Sequence, residues 1–228
     1  MDLTPNLTPF FHLFDRWIDY IYQIDALSSF IIVIIALLIG FYSYKIYGFT
    51  KKRNYLLFSL AFLFIALGYA IKTWFDLFIK VESYHQEIVL GAFGLPLVYE
   101  LTLLSFMCLI LIGYIILIVI TMKGNRMTAL LFFLMVAVAL LLSSNYYLAF
   151  SFITIILLSF LVYHFFMNFS ANRKLNSGIV WFGFFLILLS QIIEIFMYFS
   201  NKFYLLSNLM LMAGFGMLLV NFIMVQRK

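Results

Sequence analysis

The chain has 228 residues, 66% of them hydrophobic and only 10% charged, with a mean hydropathy of +1.13. No water-soluble core of this size hides so much apolar surface, so the composition excludes a soluble enzyme or binding module and predicts a polytopic membrane protein. The net charge of +5 is no sign of nucleic acid, because the bases sit in short segments between apolar runs, where they set topology.

Met1 to Asp25 form a polar-to-amphipathic lead. Thr8-Pro9 can open a helix, and Phe10, Phe11, Phe14, Trp17, Ile18 and Ile21 recur at helical spacing opposite Asp15, Arg16 and Asp19. This predicts an extracellular interfacial amphipathic segment over residues 1–26, ahead of a transmembrane domain over residues 27–228. No basic stretch with a small-residue cleavage site is present, so no cleaved signal peptide is expected.

Seven apolar runs follow, each near the ~20 residues that cross a hydrocarbon core. They are Leu27 to Phe49, Asn54 to Ile79, Leu97 to Met122, Met127 to Ser144, Tyr146 to Phe169, Gly178 to Ser200 and Phe203 to Val225. The expected fold class is all-α: a polytopic membrane bundle of seven transmembrane helices in a cell membrane. Alternate ends of the runs carry Lys45, Lys51, Lys52, Arg53, Lys123, Arg126, Arg173, Lys174, Arg227 and Lys228 with no acid. All nine acids lie towards the other end, with Arg16, Lys72, Lys80 and Lys202. That asymmetry predicts the N-terminus outside and the C-terminus inside. The longest connection, Lys80 to Pro96, holds Gly91 and Gly94, and Pro96 suits the first turn of the third helix.

The segment Tyr44-Lys45-Ile46-Tyr47-Gly48-Phe49-Thr50-Lys51-Lys52-Arg53, continued through Phe62 to Gly68-Tyr69, resembles a hairpin pattern in uncharacterised multi-span archaeal membrane proteins. The resemblance covers a small part of the chain and implies no activity. An internal echo also occurs. Ala61 to Phe75 laid over Gly183 to Met197 matches Phe62 with Phe184, Ile65 with Ile187, Leu67 with Leu189 and Ile71 with Ile193, and puts Lys72 over Glu194. This predicts a 3+1+3 parallel repeat, with shared hydrophobic bias as the competing explanation.

Charges inside apolar runs are the main functional lead, because each costs several kcal/mol at bilayer depth unless paired, snorkelling or hydrated. Lys72 and Asp76 share a face of the second helix. Glu100, Gln191, Glu194 and Asn208 lie at matching depth on other runs. These six residues are the candidate ligand-binding set, suited to a proton, a cation or a hydrogen-bonding ligand. The competing reading pairs Lys72 with Asp76, both reaching headgroups, and leaves Glu100 in interfacial water.

Cys108 has no partner for a disulfide, and His12, His85 and His164 lack metal-ligand spacing, so no metal site or cofactor is expected. A retinal protein is excluded because the last run has no lysine. No nucleophile-and-base constellation is visible, so no enzymatic activity is expected. The function expected is an outward-facing polar pocket in a receptor-like, sensor or accessory subunit that binds a small-molecule ligand or a partner helix. The alternatives are a small secondary carrier built from two three-helix repeats, and a structural subunit of a membrane complex. Expected partners are the lipid bilayer, a small ligand, and a membrane protein or second copy of the chain; no nucleic acid is expected.

Overall fold

In hydrocarbon each backbone N–H and C=O must be satisfied within its own segment, which a helix does and an open strand does not. The computed structural model describes residues 8–84, 95–122, 134–136, 138–139, 143, 145–196 and 201–226, and these are helical apart from short turns. The long helices are α1 (Thr8–Thr50), α2 (Arg53–Tyr84), α3 (Leu95–Thr121), α4 (Tyr146–Asn172), α5 (Leu175–Ile195) and α6 (Asn201–Gln226). Within them, six stretches are long and apolar enough to cross a membrane: Asp25–Thr50, Arg53–Leu77, Glu100–Thr121, Tyr146–Asn172, Leu175–Ile195 and Phe203–Val225. The molecule is an all-α, multi-pass membrane protein.

The expected span from Met127 to Ser144 falls mostly outside the described residues. Residues 134–136 and 138–139 are helical, and Val136 joins the core. The loop residues from His85 to Gly94 also lie outside them, while Pro96 falls in the first turn of α3 as expected. The amphipathic lead is helical from Thr8 and continues without a break into the first span, giving one helix of 43 residues, about 64 Å long. That continuity brings Asp25 into the bundle, where it is buried.

Among the described helices, each packs on the next in sequence and α6 returns to α1, closing a ring. Two tight turns lie on the basic side, and both close the same way. α1 ends at Lys51 with φ 54°, whose N–H bonds Tyr47 O at 2.8 Å; α4 ends at Arg173 with φ 48°, whose N–H bonds Phe169 O at 2.7 Å. A left-handed residue after the last turn satisfies carbonyls that the helix leaves free.

Lipid tails are as apolar as leucine, so these helices associate through close packing and interhelical hydrogen bonds. Small residues permit both. A Cβ on Gly113 would stand 2.6 Å from Ile65 Cγ1 and 2.9 Å from Ala61 O. One on Gly214 would stand 2.6 Å from Ile187 Cγ1 and 2.8 Å from Gly183 O. Ser59 Oγ donates to Gly40 O at 2.8 Å, Ser43 Oγ to Tyr55 O at 2.9 Å, and Ser207 Oγ to Ser190 O at 3.0 Å, tying α1 to α2 and α5 to α6. Aromatic rings fill the interior: Phe215 of α6 meets Phe62 and Tyr69 of α2 edge-on, and Phe165 stacks on Phe184 at 4.9 Å. Phe41, Trp74, Tyr163 and Leu209 project outward, as lipid-facing side chains do.

The glycine contacts set an expectation. Gly113→Ala forces a methyl into Ile65 and costs about 1–3 kcal/mol, whereas Gly216→Ala, with nothing within 4 Å, is neutral or slightly stabilising. Thermal unfolding in detergent measures both, and equal midpoints for the two variants would contradict the close approach of α3 to α2.

Candidate functional site

The polar groups gather at the end of the bundle opposite the basic turns, where α1, α3, α4 and α6 enter their spans and α2 and α5 complete theirs. Lys72 on α2 extends its ammonium to Asp25 on α1, with Nζ 3.0 Å from Oδ1. Asp25 is 7% exposed at its side chain and Lys72 27%, so the pair is largely removed from solvent. The same ammonium lies 5.8 Å from the centre of the Phe106 ring on α3, a cation–π contact. One turn beyond Lys72, Asp76 is within electrostatic range of it, yet the buried Asp76 Oδ2 accepts no hydrogen bond among the described residues.

A second polar group forms across from the first. Glu194, near the end of α5, accepts a hydrogen bond from the Tyr147 hydroxyl on α4 and another from Gln191 Nε2 at 2.9 Å. Gln191 is buried. Lys72 and Glu194 lie within electrostatic range of each other, and the buried Tyr69 lies within range of Asp25, Lys72 and Glu194 together. The two groups therefore belong to one cluster.

On α6, Tyr204 faces Asp25 and Asn208. Asn208 is 8% exposed, and its Nδ2 closes no hydrogen bond of normal geometry among the described residues. Glu100 is exposed on α3 and enters none of these hydrogen bonds. The structure thus brings Lys72, Asp76, Gln191, Glu194 and Asn208 to one end of the ring and leaves Glu100 on its surface.

Three members of the cluster escape a reading based on charges inside apolar runs. Asp25 stands at the boundary of its run and reads as part of the polar lead. Counting back along α1 from the turn at Lys51 shows that it is roughly as far from that turn as Lys72 is along α2, within the reach of a lysine side chain. Tyr147 and Tyr204 read as interfacial aromatics, and nothing in their local sequence separates an anchor from a hydrogen-bonding phenol.

Chemically, among the described residues, the cluster sets one ammonium against the carboxyl groups of Asp25, Asp76 and Glu194. These residues are rich in acceptors and lined by phenols, with no thiol or imidazole among them. No family model matches the chain, and neither a curated protein nor a solved structure matches it.

Removing one partner of a buried ion pair strands the other charge. Lys72→Met is expected to destabilise the protein by about 3 kcal/mol, and Asp25→Asn added to it should recover most of that loss. A four-way thermal-unfolding cycle checks the coupling; strictly additive single effects would mean that the two residues do not interact in the membrane.

Proposed function

We propose that this protein crosses the membrane seven times, with the N-terminus outside, and that its polar cluster is an outward-facing, non-catalytic binding site for a small cationic ligand, in a receptor-like or sensor role. The directions of the helices support a seventh crossing. α3 packs antiparallel to α2 and runs toward the basic turns, yet α4 begins at the polar end, where Phe150 meets Phe106. A seventh crossing between them would carry the chain back to that end. Lys51, Lys52, Arg53, Arg173 and Lys174, all exposed, favour the cytoplasmic side for the turns they occupy.

The observation that carries the ligand class is the charge imbalance. Among the described residues Asp25 already neutralises Lys72, so the carboxyl groups of Asp76 and Glu194 remain beside it, with the buried Asp76 Oδ2 unbonded there. At this depth uncompensated carboxylates are costly. A small organic cation, or protons taken up in its place, supplies the missing charge, and the Tyr147 and Tyr204 hydroxyls and Tyr69 ring offer it hydrogen-bonding and aromatic surfaces. With the charged groups at one end and Phe, Leu and Ile prominent in the rest of the core, the one-sided placement of charge suits sensing better than passage.

A thermal-shift series on purified protein with sodium, guanidinium, tetramethylammonium and putrescine tests this. A bound cation at about 100 times its Kd stabilises by about 2.7 kcal/mol, a shift of several degrees. Asp76→Asn and Glu194→Gln are expected to abolish the response. Silence from all four cations, or a response unchanged in both variants, removes the cation-site reading. The orientation is tested separately: in a Cys108→Ser chain, Thr50→Cys is expected to resist an impermeant maleimide in intact cells and to react in inverted vesicles, and labelling of intact cells would reverse the topology.

A further inference from the structure

We infer that residues 25–75 and 147–197 are two copies of one unit, displaced by 122 residues, and that the polar cluster is a single site fused from two equivalent half-sites. Asp25–Lys72 comes from the first copy and Tyr147–Glu194 from the second. This does not rest on the ligand proposed above.

The displacement recurs in independent features. Lys51 and Arg173 are the only non-glycine residues with positive φ among the described residues, and they are 122 apart. The carbonyls that accept their N–H groups, Tyr47 O and Phe169 O, are 122 apart as well. Each polar pair spans 47 residues, from Asp25 to Lys72 and from Tyr147 to Glu194, and both members move by 122 from one pair to the other. Buried positions follow the same shift: Ser29 with Ser151, Ile39 with Leu161, and Phe62 with Phe184. Ten of the 51 aligned positions are identical, Ser29, Phe30, Ile31, Lys52 and Asn54 among the first copy's residues. Identity alone would not carry this in so apolar a chain; the shared geometry does.

The third helix of each half obeys a second displacement. Gly113 packs on Ala61 and Ile65, and Gly214 on Gly183 and Ile187, so the partners move by 122 while the glycines move by 101. Twenty-one more residues separate Ile65 from Gly113 than separate Ile187 from Gly214, taken up by a longer end of α2, a longer connection and an earlier start of α3. Among the described residues, each contact between neighbouring helices of the ring has its counterpart when the halves are exchanged: α1–α2 with α4–α5, α2–α3 with α5–α6, and α1–α6 with α3–α4. That is the contact pattern of a twofold axis running along the bundle. Lys72 and Glu194 occupy one position of the unit in its two copies, and a ligand between them touches both halves, where binding energy acts on their relative orientation.

Equivalence means that the half-sites can trade places. In an Asp76→Asn background, the half-exchange Asp25→Tyr with Lys72→Glu removes the site's cation and should lower the unfolding midpoint by about 10 °C. Adding Tyr147→Asp and Glu194→Lys, which completes the exchange, is expected to restore it to within a few degrees. An exchanged protein no more stable than the half-exchange overturns the inference. Independently of folding yield, spin labels in a Cys108→Ser chain at the exposed positions Phe30 and Leu63, and in a second sample at Phe152 and Phe185, should report the same separation. Distances that differ by more than the width of either distribution overturn it as well.

Discussion

The contact between Asp25 and Lys72 constrains everything around it. A lysine within a membrane helix has few satisfactory surroundings, and here its ammonium reaches a carboxylate that is itself almost wholly buried. For the two to meet, α1 must stay helical past the start of its apolar run and lie beside α2 in register with it. The glycine and serine contacts between the same helices hold that register: Gly40 lies against Ser59, and Ser43 reaches Tyr55. Loss of either charge strands the other, so the pair specifies an arrangement more than it stabilises one.

Much of the architecture was legible as a sequence because the membrane limits the options. Apolar runs near 20 residues become helices, and basic turns such as Lys51-Lys52-Arg53 and Arg173-Lys174 separate them. The convergence of Lys72 with Glu194 was legible too, since depth follows from residue count along a helix. The partner of Lys72 was not. Asp76 lies one turn away on the same helix and satisfies the spacing rule, but that rule concerns proximity within a helix and is silent about neighbours in the ring. Asp25 was hidden by a boundary: a polar residue at the edge of an apolar run reads as outside the membrane unless the helix is known to continue. The exposure of Glu100 was hidden for the converse reason, since depth along α3 does not give the face it occupies.

The packing shows how such a bundle holds without a hydrophobic driving force between helices. Where α2 meets α3 and α5 meets α6, glycine admits an isoleucine from the facing helix. Elsewhere the interior is filled by rings, with Phe215 in edge contact with both Phe62 and Tyr69. Edge-on aromatic pairs combine area with a directional preference, so they fix relative rotation where leucine would leave it free. Small residues set the distance between neighbouring helices, and rings set the orientation of helices that face each other across the middle.

The proposed duplication would give the polar cluster a physical origin. Two identical copies would place the same charge at both equivalent positions, and like charges facing each other across a dry interior repel. Opposite charges at those positions remove the repulsion and turn it into attraction. Lys72 with Glu194 satisfies that condition, and each partner has changed to match: the lysine is met by a carboxylate at Asp25, and the glutamate by a phenol at Tyr147 that donates to it. A carboxylate at both partner positions would leave Glu194 facing an acid, and a phenol at both would leave Lys72 without a counter-ion within the unit. The four residues are therefore one solution to the placement of a polar site on the axis of a duplicated bundle, and the unit's symmetry is broken where the charges have to differ.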